Sequence, residues 1–282
     1  MRALRTVAVA CVAIGALTAC SSSGSGGSTD AKTGGDASQS APAAGKGGAK
    51  LPPKEALLAS AAVMEKAGSA KLAVKGGEAD DDGTVDYVWK DPASFLMTGT
   101  EDGKEIKALV VGGQMYVGVT PDMAAVAKGK KWVSLDASDG SAEDGNETAS
   151  LNAMVQVMNP AIQLAAAAPT ATLAGTETVS GQSTTHYRSE MKAEDLVSKM
   201  KLDGALKPKV LAEIKKDGDT VVVELWINDK GELVQQSVTG SSPKAGDKPE
   251  TITYSGLGTV KATPAPAAGE VLKLSDLMQQ MQ

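Results

Sequence analysis

Histidine, cysteine and aromatic residues are all scarce in this chain, and each scarcity closes off a class of function. The one histidine, His186, lies in the strand-like stretch Thr184-Thr185-His186-Tyr187-Arg188. A catalytic triad needs such a histidine beside an activated serine and a carboxylate, and no nucleophile-elbow pattern is present. A half-exposed strand histidine is the reading that fits. The two cysteines, Cys11 and Cys20, both fall within the first 20 residues. The remainder therefore has no thiol for a disulfide, a nucleophile or a zinc site, and one histidine cannot replace the missing ligands. The formal net charge is −6 with no Lys/Arg cluster, which argues against nucleic acid as a partner. The acidic stretches Asp80-Asp81-Asp82-Gly83 and Asp136 to Glu147 lack the spacing of a calcium loop and read as solvated turns. Glycine-rich turns do not sit between a strand and a helix, so no phosphate loop is read. No catalytic residue, metal or cofactor is expected.

What is present begins at the N-terminus. Arg2 and Arg5 precede an apolar run from Val7 to Leu17, and the sequence Leu17-Thr18-Ala19-Cys20 follows on. A basic start, a short apolar core and small residues before a cut are the parts of a secretory signal. The run of about 11 residues is too short for a bilayer span, which needs roughly 20. Leu-Thr-Ala-Cys resembles the bacterial lipobox, in which the cysteine becomes the first mature residue and carries lipid on its sulfur and its amino group. The alternative is an ordinary signal cut at Ala-x-Ala, with Cys20 incidental. Residues 21–50 are Gly, Ser and Ala with scattered charge, a composition that cannot bury enough surface to fold. As a flexible tether, 30 such residues span about 30 Å root-mean-square. The expected organisation is a signal peptide over 1–19, a lipidated Cys20 with its tether over 20–50, and one domain over 51–282. The expected location is the extracytoplasmic face of the cell membrane, held there by the lipid on Cys20.

Within the domain, Pro52-Pro53 precede a helix from about Lys54 to Lys66, which Gly68 closes. A meander of strands follows. Thr84–Lys90 places Val85, Tyr87 and Trp89 on one face, Ala93–Gly99 does the same for Phe95 and Met97, and Gly112-Gly113 marks a hairpin into Gln114–Val119. Lys131–Leu135 is a short strand with Trp132. The segment from Ser150 to Ala168, broken at Asn159-Pro160, is apolar over most of its surface. Such a helix is buried or covers something apolar. A hairpin around Gly181, helices over Ala193–Lys201 and Ala205–Lys216, strands over Thr220–Ile227, Glu232–Thr239 and Thr251–Gly256, and an amphipathic tail over Ser275–Met281 complete the chain. The expected class is α+β, an antiparallel sheet with helices on one face.

Certain stretches carry a family resemblance: Gly112-Gly113-Gln114-Met115-Tyr116-Val117, Lys131-Trp132-Val133, Gly175 to Gly181 with Thr185-His186-Tyr187, and Glu224 to Gly231. With the lipobox and the order of elements, they make the chain similar to LolA/LolB-type lipoprotein carriers, and more nearly to the LppX/LprG-type group of actinobacteria. The resemblance implies a half-barrel, a strongly curved antiparallel sheet with helices across its concave face. It also implies an apolar cavity between the two layers that holds acyl chains.

Composition agrees with a concavity left open, since few bulky residues are available to fill it. Methionine adapts to variable apolar ligands. Trp89, Met97, Met115, Trp132, Leu151, Met154 and Met158 are the cavity candidates, each of which is otherwise ordinary core. The expected function is binding and carriage of a membrane lipid or glycolipid within the cell envelope. The alternative is an envelope lipoprotein with a filled core that binds a protein partner or acts as a sensor. Cys20→Ser is expected to release the protein into the medium, which fractionation of cells and medium measures; firm membrane attachment of the variant overturns the lipobox.

Overall fold

The structure is a computed structural model and describes residues 51–280 apart from 77–81, 102, 136–154, 201, 203, 205, 216–217 and 241–248. Alternating residues and tight turns produce a first meander: β1 (Ser69–Lys75), β2 (Gly83–Val88), β3 (Ser94–Glu101), β4 (Lys104–Val111), β5 (Gln114–Gly118) and the short β6 (Trp132–Ser134). The β4–β5 turn has φ of 60° at Gly112 and 73° at Gly113. Both are left-handed, the geometry whose twist matches that of the flanking strands. A second meander runs through β7 (Thr172–Val179), β8 (Gln182–Lys192), β9 (Thr220–Asn228), β10 (Leu233–Gly240) and β11 (Glu250–Ser255). A last strand, β12 (Val271–Lys273), pairs parallel with β6.

All twelve strands form one open, curled sheet in the order β12-β6-β5-β4-β3-β2-β1-β11-β10-β9-β8-β7. The two meanders join where β1 pairs antiparallel with β11, with Leu72 opposite Tyr254 and Val74 opposite Ile252. Paired residues share a face, so the register sorts the side chains. Val133, Val117, Ala108, Met97, Val85, Leu72 and Tyr254 lie in one row across seven strands. The row beside it, on the other face, carries Thr98, Thr84, Ala73, Thr253, Gln235, Trp226 and His186. The apolar row is the inner, concave side.

Helices pack on that inner side. The first, α1 (Pro53–Ala67), starts with proline at its first position, where the missing N–H removes no hydrogen bond, and buries a stripe of Leu57, Ser60, Ala61 and Met64. It ends at Gly68, whose φ of 74° lets its N–H reach the Met64 carbonyl at 3.1 Å. The Gly68 carbonyl in turn accepts from the N–H groups of Trp89 and Lys90, at 3.0 and 3.3 Å. A 3₁₀ turn (Pro121–Met123) and α2 (Ala124–Ala127) lie between β5 and β6. The mid-chain helix α3 (Pro160–Ala167) is capped by Asn159, whose Oδ1 accepts from the Ala161 N–H at 2.9 Å. α4 (Ala193–Lys199) and α5 (Leu206–Ile214) follow β8, and α6 (Leu274–Gln280) closes the chain. Leu57, Met64, Leu72, Tyr87, Phe95, Leu164 and Leu225 share one buried core. Val133, Leu272 and Leu277 form a smaller one near β6, with Met123 and Val126 packed on it.

Two connections fasten the layers. Strand β6 lies near one end of the sheet and β7 forms the other end. The chain between them must cross ten strand spacings, a path of about 48 Å along an uncurled sheet. Its described part, residues 155–171, lies on the inner side, where Val155, Met158, Ala161 and Leu164 enter the main core and α3 packs on α1. The return from β11 to β12 uses the outer side: the Gly258 N–H donates to the Ser69 carbonyl at 2.8 Å, and the Thr263 N–H to Ser94 Oγ at 2.9 Å.

The α1 boundary is sensitive to one side chain. A Cβ on Gly68 would sit 2.2–2.6 Å from the Lys90 methylenes, on a residue with φ of 74°. Gly68→Ala is expected to lower stability by about 1–2 kcal/mol from the left-handed backbone alone, measured as a drop in the denaturation midpoint at unchanged slope.

Candidate functional site

The inner face of β2–β5 and the segment crossing it define the site. Alternation in β2 turns Val85 and Tyr87 inward, and Trp89 continues the series just past the strand. The Tyr87 ring stands 5.2 Å from that of Trp89 and 5.7 Å from that of Phe95, the latter edge-on at 69°. The Tyr87 hydroxyl donates to the Val155 carbonyl at 2.6 Å, and the Trp89 indole N–H donates to the Met64 carbonyl at 3.1 Å. These two bonds tie the sheet to both covering elements, the mid-chain segment and α1. Burial pushes the Tyr87 hydroxyl well up from 10, helped by Tyr254 and Glu65 nearby. It stays a neutral donor at any physiological pH.

Met97 pairs with Val85 and Ala108, and Met115 with Val110, all on the inner face. Trp89, Met97 and Met115 pack against the main core yet keep part of their surface exposed, whereas Leu72, Tyr87 and Phe95 beside them are fully buried. Met158 is buried in the same core, between a helical turn at 155–157 and α3. The structure thus brings Trp89, Met97, Met115 and Met158 to one side of the sheet.

Trp132 does not join them, which corrects its place among the cavity candidates. It pairs with Gly118, in register with the outer face, while the next residue, Val133, pairs with Val117 and points inward. A three-residue strand is too short for its alternation to fix the face. Leu151 and Met154 lie outside the described residues, as do Cys20 and the rest of the tether.

Sequence reading missed the polar groups on the inner face. Gln236 is opposite Ile252, and Tyr254 is two residues further along the same strand on the same side. Both side chains are buried, and neither the Gln236 Oε1 nor the Tyr254 hydroxyl has a hydrogen-bond partner among the described residues. Burial and the neighbouring Glu250 raise the Tyr254 hydroxyl well above 10. Burial likewise raises the Glu250 carboxyl, from 4.5 to about 7. No sequence signal marks Gln236, a polar residue at a core-facing strand position.

His186 lies on the outer face. Its ring stacks on Trp226 at 4.3 Å and 14°, with Nδ1 3.0 Å from Glu177 and Nε2 3.6 Å from Glu224. Glu177 also accepts from the Trp226 indole at 2.7 Å, and Arg188 pairs with Glu224 at 2.8 Å. The cluster knits β7, β8 and β9 together and is separated from the inner face by the sheet. Among the described residues no group of His, Cys, Asp and Glu is arranged to hold a metal ion, and no helix is long and apolar enough to cross a membrane.

No protein-family profile matches the chain. It is 25% identical over 204 residues to an uncharacterised 31.2 kDa protein of the rplA–rplJ intergenic region in Streptomyces griseus, covering 70% of this chain and 65% of that one. The chain thus spans a little under two thirds of that relative's length. Among solved structures it is similar to LprF from Mycobacterium bovis, at 16% identity and a TM-score of 0.48, covering 77% of this chain and 97% of that chain. It is also similar to the Mycobacterium tuberculosis lipoprotein LppX, at 19% identity and a TM-score of 0.42, covering 71% and 93%. A LolA superfamily protein from Nitrosomonas europaea matches at 10% identity and a TM-score of 0.29, covering 77% and 96%.

The raised Glu250 carboxyl links stability to pH. Ionisation is harder in the folded chain than in the unfolded one, so the folded state holds the extra proton between the two values. Stability is expected to fall as pH rises from about 4.5 to about 7, with the penalty absent below that window and complete above it. Glu250→Gln is expected to remove this component, as denaturant titrations on either side of the window would show.

Proposed function

We propose that this chain is an envelope lipoprotein, anchored through Cys20, that binds the acyl chains of a membrane lipid or glycolipid between its concave sheet and the helices crossing it. The observation that carries the reading is the contrast on the inner face: Trp89, Met97 and Met115 stay partly exposed, whereas Leu72, Tyr87, Phe95 and Val110 on the same or adjacent strands are buried. Large apolar side chains left accessible inside a concavity define a surface for an apolar ligand rather than a finished core. Burial of each ligand methylene contributes about 0.8 kcal/mol, so affinity would come from chain length. Met158 would line the same space from the covering segment, and Leu151 and Met154 precede it in that segment.

The mechanism is passive. An acyl chain leaves the bilayer, passes under the mid-chain segment and is shielded from water until released. The tether over residues 21–50 would hold the domain within about 30 Å of the membrane surface. No catalytic step, metal or cofactor belongs to this reading.

Native mass spectrometry of the Cys20→Ser chain, collected from the medium without detergent, tests it. The expected result is a stoichiometric mass increment that organic solvent removes and that proves to be an acylated lipid. Met115→Arg places a charge on the inner face and is expected to cut that occupancy at least tenfold while the chain is still secreted. A bare polypeptide mass with no uptake of added lipid would overturn the reading in favour of a filled core that serves a protein partner.

A further inference from the structure

The inner face is not uniformly apolar. Gln236 is 1% exposed and Tyr254 is 4% exposed, yet Gln236 Oε1 and the Tyr254 hydroxyl have no hydrogen-bond partner among the described residues. Their positions are fixed by register: Gln236 pairs with Ile252, and Tyr254, two residues on, pairs with Leu72. They are diagonal neighbours on adjacent strands, about 7–8 Å apart at the backbone and within reach of one small polar group. The helical layer repeats the pattern. Ser60 on the buried stripe of α1 is 0% exposed, and its Oγ is unpartnered, as is Oε1 of Gln163 on α3. A buried polar group left unpaired loses its hydration with nothing in exchange, and native cores hold few of them.

We propose that Gln236 and Tyr254 form a polar subsite that takes a neutral hydroxyl group of the bound lipid. The chemistry selects the group. Gln236 Oε1 needs a donor, and the Tyr254 hydroxyl can donate or accept; a ligand hydroxyl meets both, and a hydrocarbon meets neither. A carboxylate or phosphate has no proton for Gln236 and would lie near Glu250, whose carboxyl is partly ionised at neutral pH and has no ion pair among the described residues. The apolar part of the same ligand has its own place. Tyr254, Leu72, Val85 and Met97 follow one another across four adjacent strands, so the hydroxyl would sit three spacings, about 14 Å, from Met97.

This subsite rests on the lipid-binding reading above, and the test separates the two. The Cys20→Ser chain is titrated, by displacement of a fluorescent fatty acid, with three probes of equal chain length: methyl stearate, methyl hydroxystearate and monostearoylglycerol. The expected result is that one hydroxylated probe binds about tenfold tighter than methyl stearate, as one or two buried hydrogen bonds provide. Preference for methyl hydroxystearate assigns the hydroxyl to the chain, and preference for monostearoylglycerol assigns it to the head group. In the Gln236→Leu, Tyr254→Phe double variant the preference is expected to vanish while methyl stearate still binds, which also shows that the variant is folded. Equal binding of all three probes by the parent chain overturns the subsite and leaves the carrier reading standing. A preference that survives in the variant also overturns the subsite. Failure of every probe to bind overturns both.

Discussion

Five cross-strand pairs, from Lys71 opposite Ser255 to Lys75 opposite Thr251, join β1 to β11, and through them two separate meanders become one sheet. That pairing sets the rest of the architecture. With the seam in the middle, β6 and β7 are driven to opposite ends, and the chain between them has no short route. It must traverse a face of the sheet, and the apolar character of residues 155–168 puts that part of it on the concave one. The tail is then left the outer side, where Ser94 receives the Thr263 N–H, and it finishes by pairing with β6. A helical cover over the concavity is thus a product of strand order as much as of helix propensity.

Chemically, the inner face has two halves. Toward β3–β5 the inner face offers Met97 and Met115, flexible side chains that adjust to different apolar shapes. Toward β10–β11 it offers Gln236 and Tyr254, rigidly placed by their ladder pairs. Between them stand Tyr87 and Trp89, whose polar atoms are already committed to Val155 and Met64. Those two aromatic residues therefore act as fasteners between layers, and among the described residues the unpaired buried polar atoms of the sheet's inner face are those of Gln236 and Tyr254 at the far end.

Much of this was legible in the sequence. The two-residue period over Val85, Tyr87 and Trp89, the Gly112-Gly113 turn and the Asn159-Pro160 start of α3 each state their structure locally, because a face, a backbone angle or a cap is decided by adjacent residues. What escaped was decided at a distance. Trp132 occupies a strand of three residues, and only its pairing with Gly118 sends it outward. β12 has the same length and follows a proline-containing stretch, so it exists because β6 offers an edge, not because Val271–Lys273 has a pattern. Gln236 looks like a surface residue among Gln235, Ser237 and Thr239, and nothing short of the register shows that it points into the core.

The seam also dictates an order of events during synthesis. Strand β1 pairs with β2 within about 20 residues of chain, but Lys71 meets Ser255 only across a separation of 184. Contacts that distant form slowly, since the intervening chain must be ordered first. A polypeptide emerging N-terminus first would present the β1–β5 meander while the far edge of β1 still waits for its partner. Until β11 emerges, that edge is an unpaired row of N–H and C=O groups with an apolar face behind it, the surface on which chains aggregate. Chaperone demand in this protein would therefore be concentrated at one strand, β1, and would end when the last third of the chain arrives.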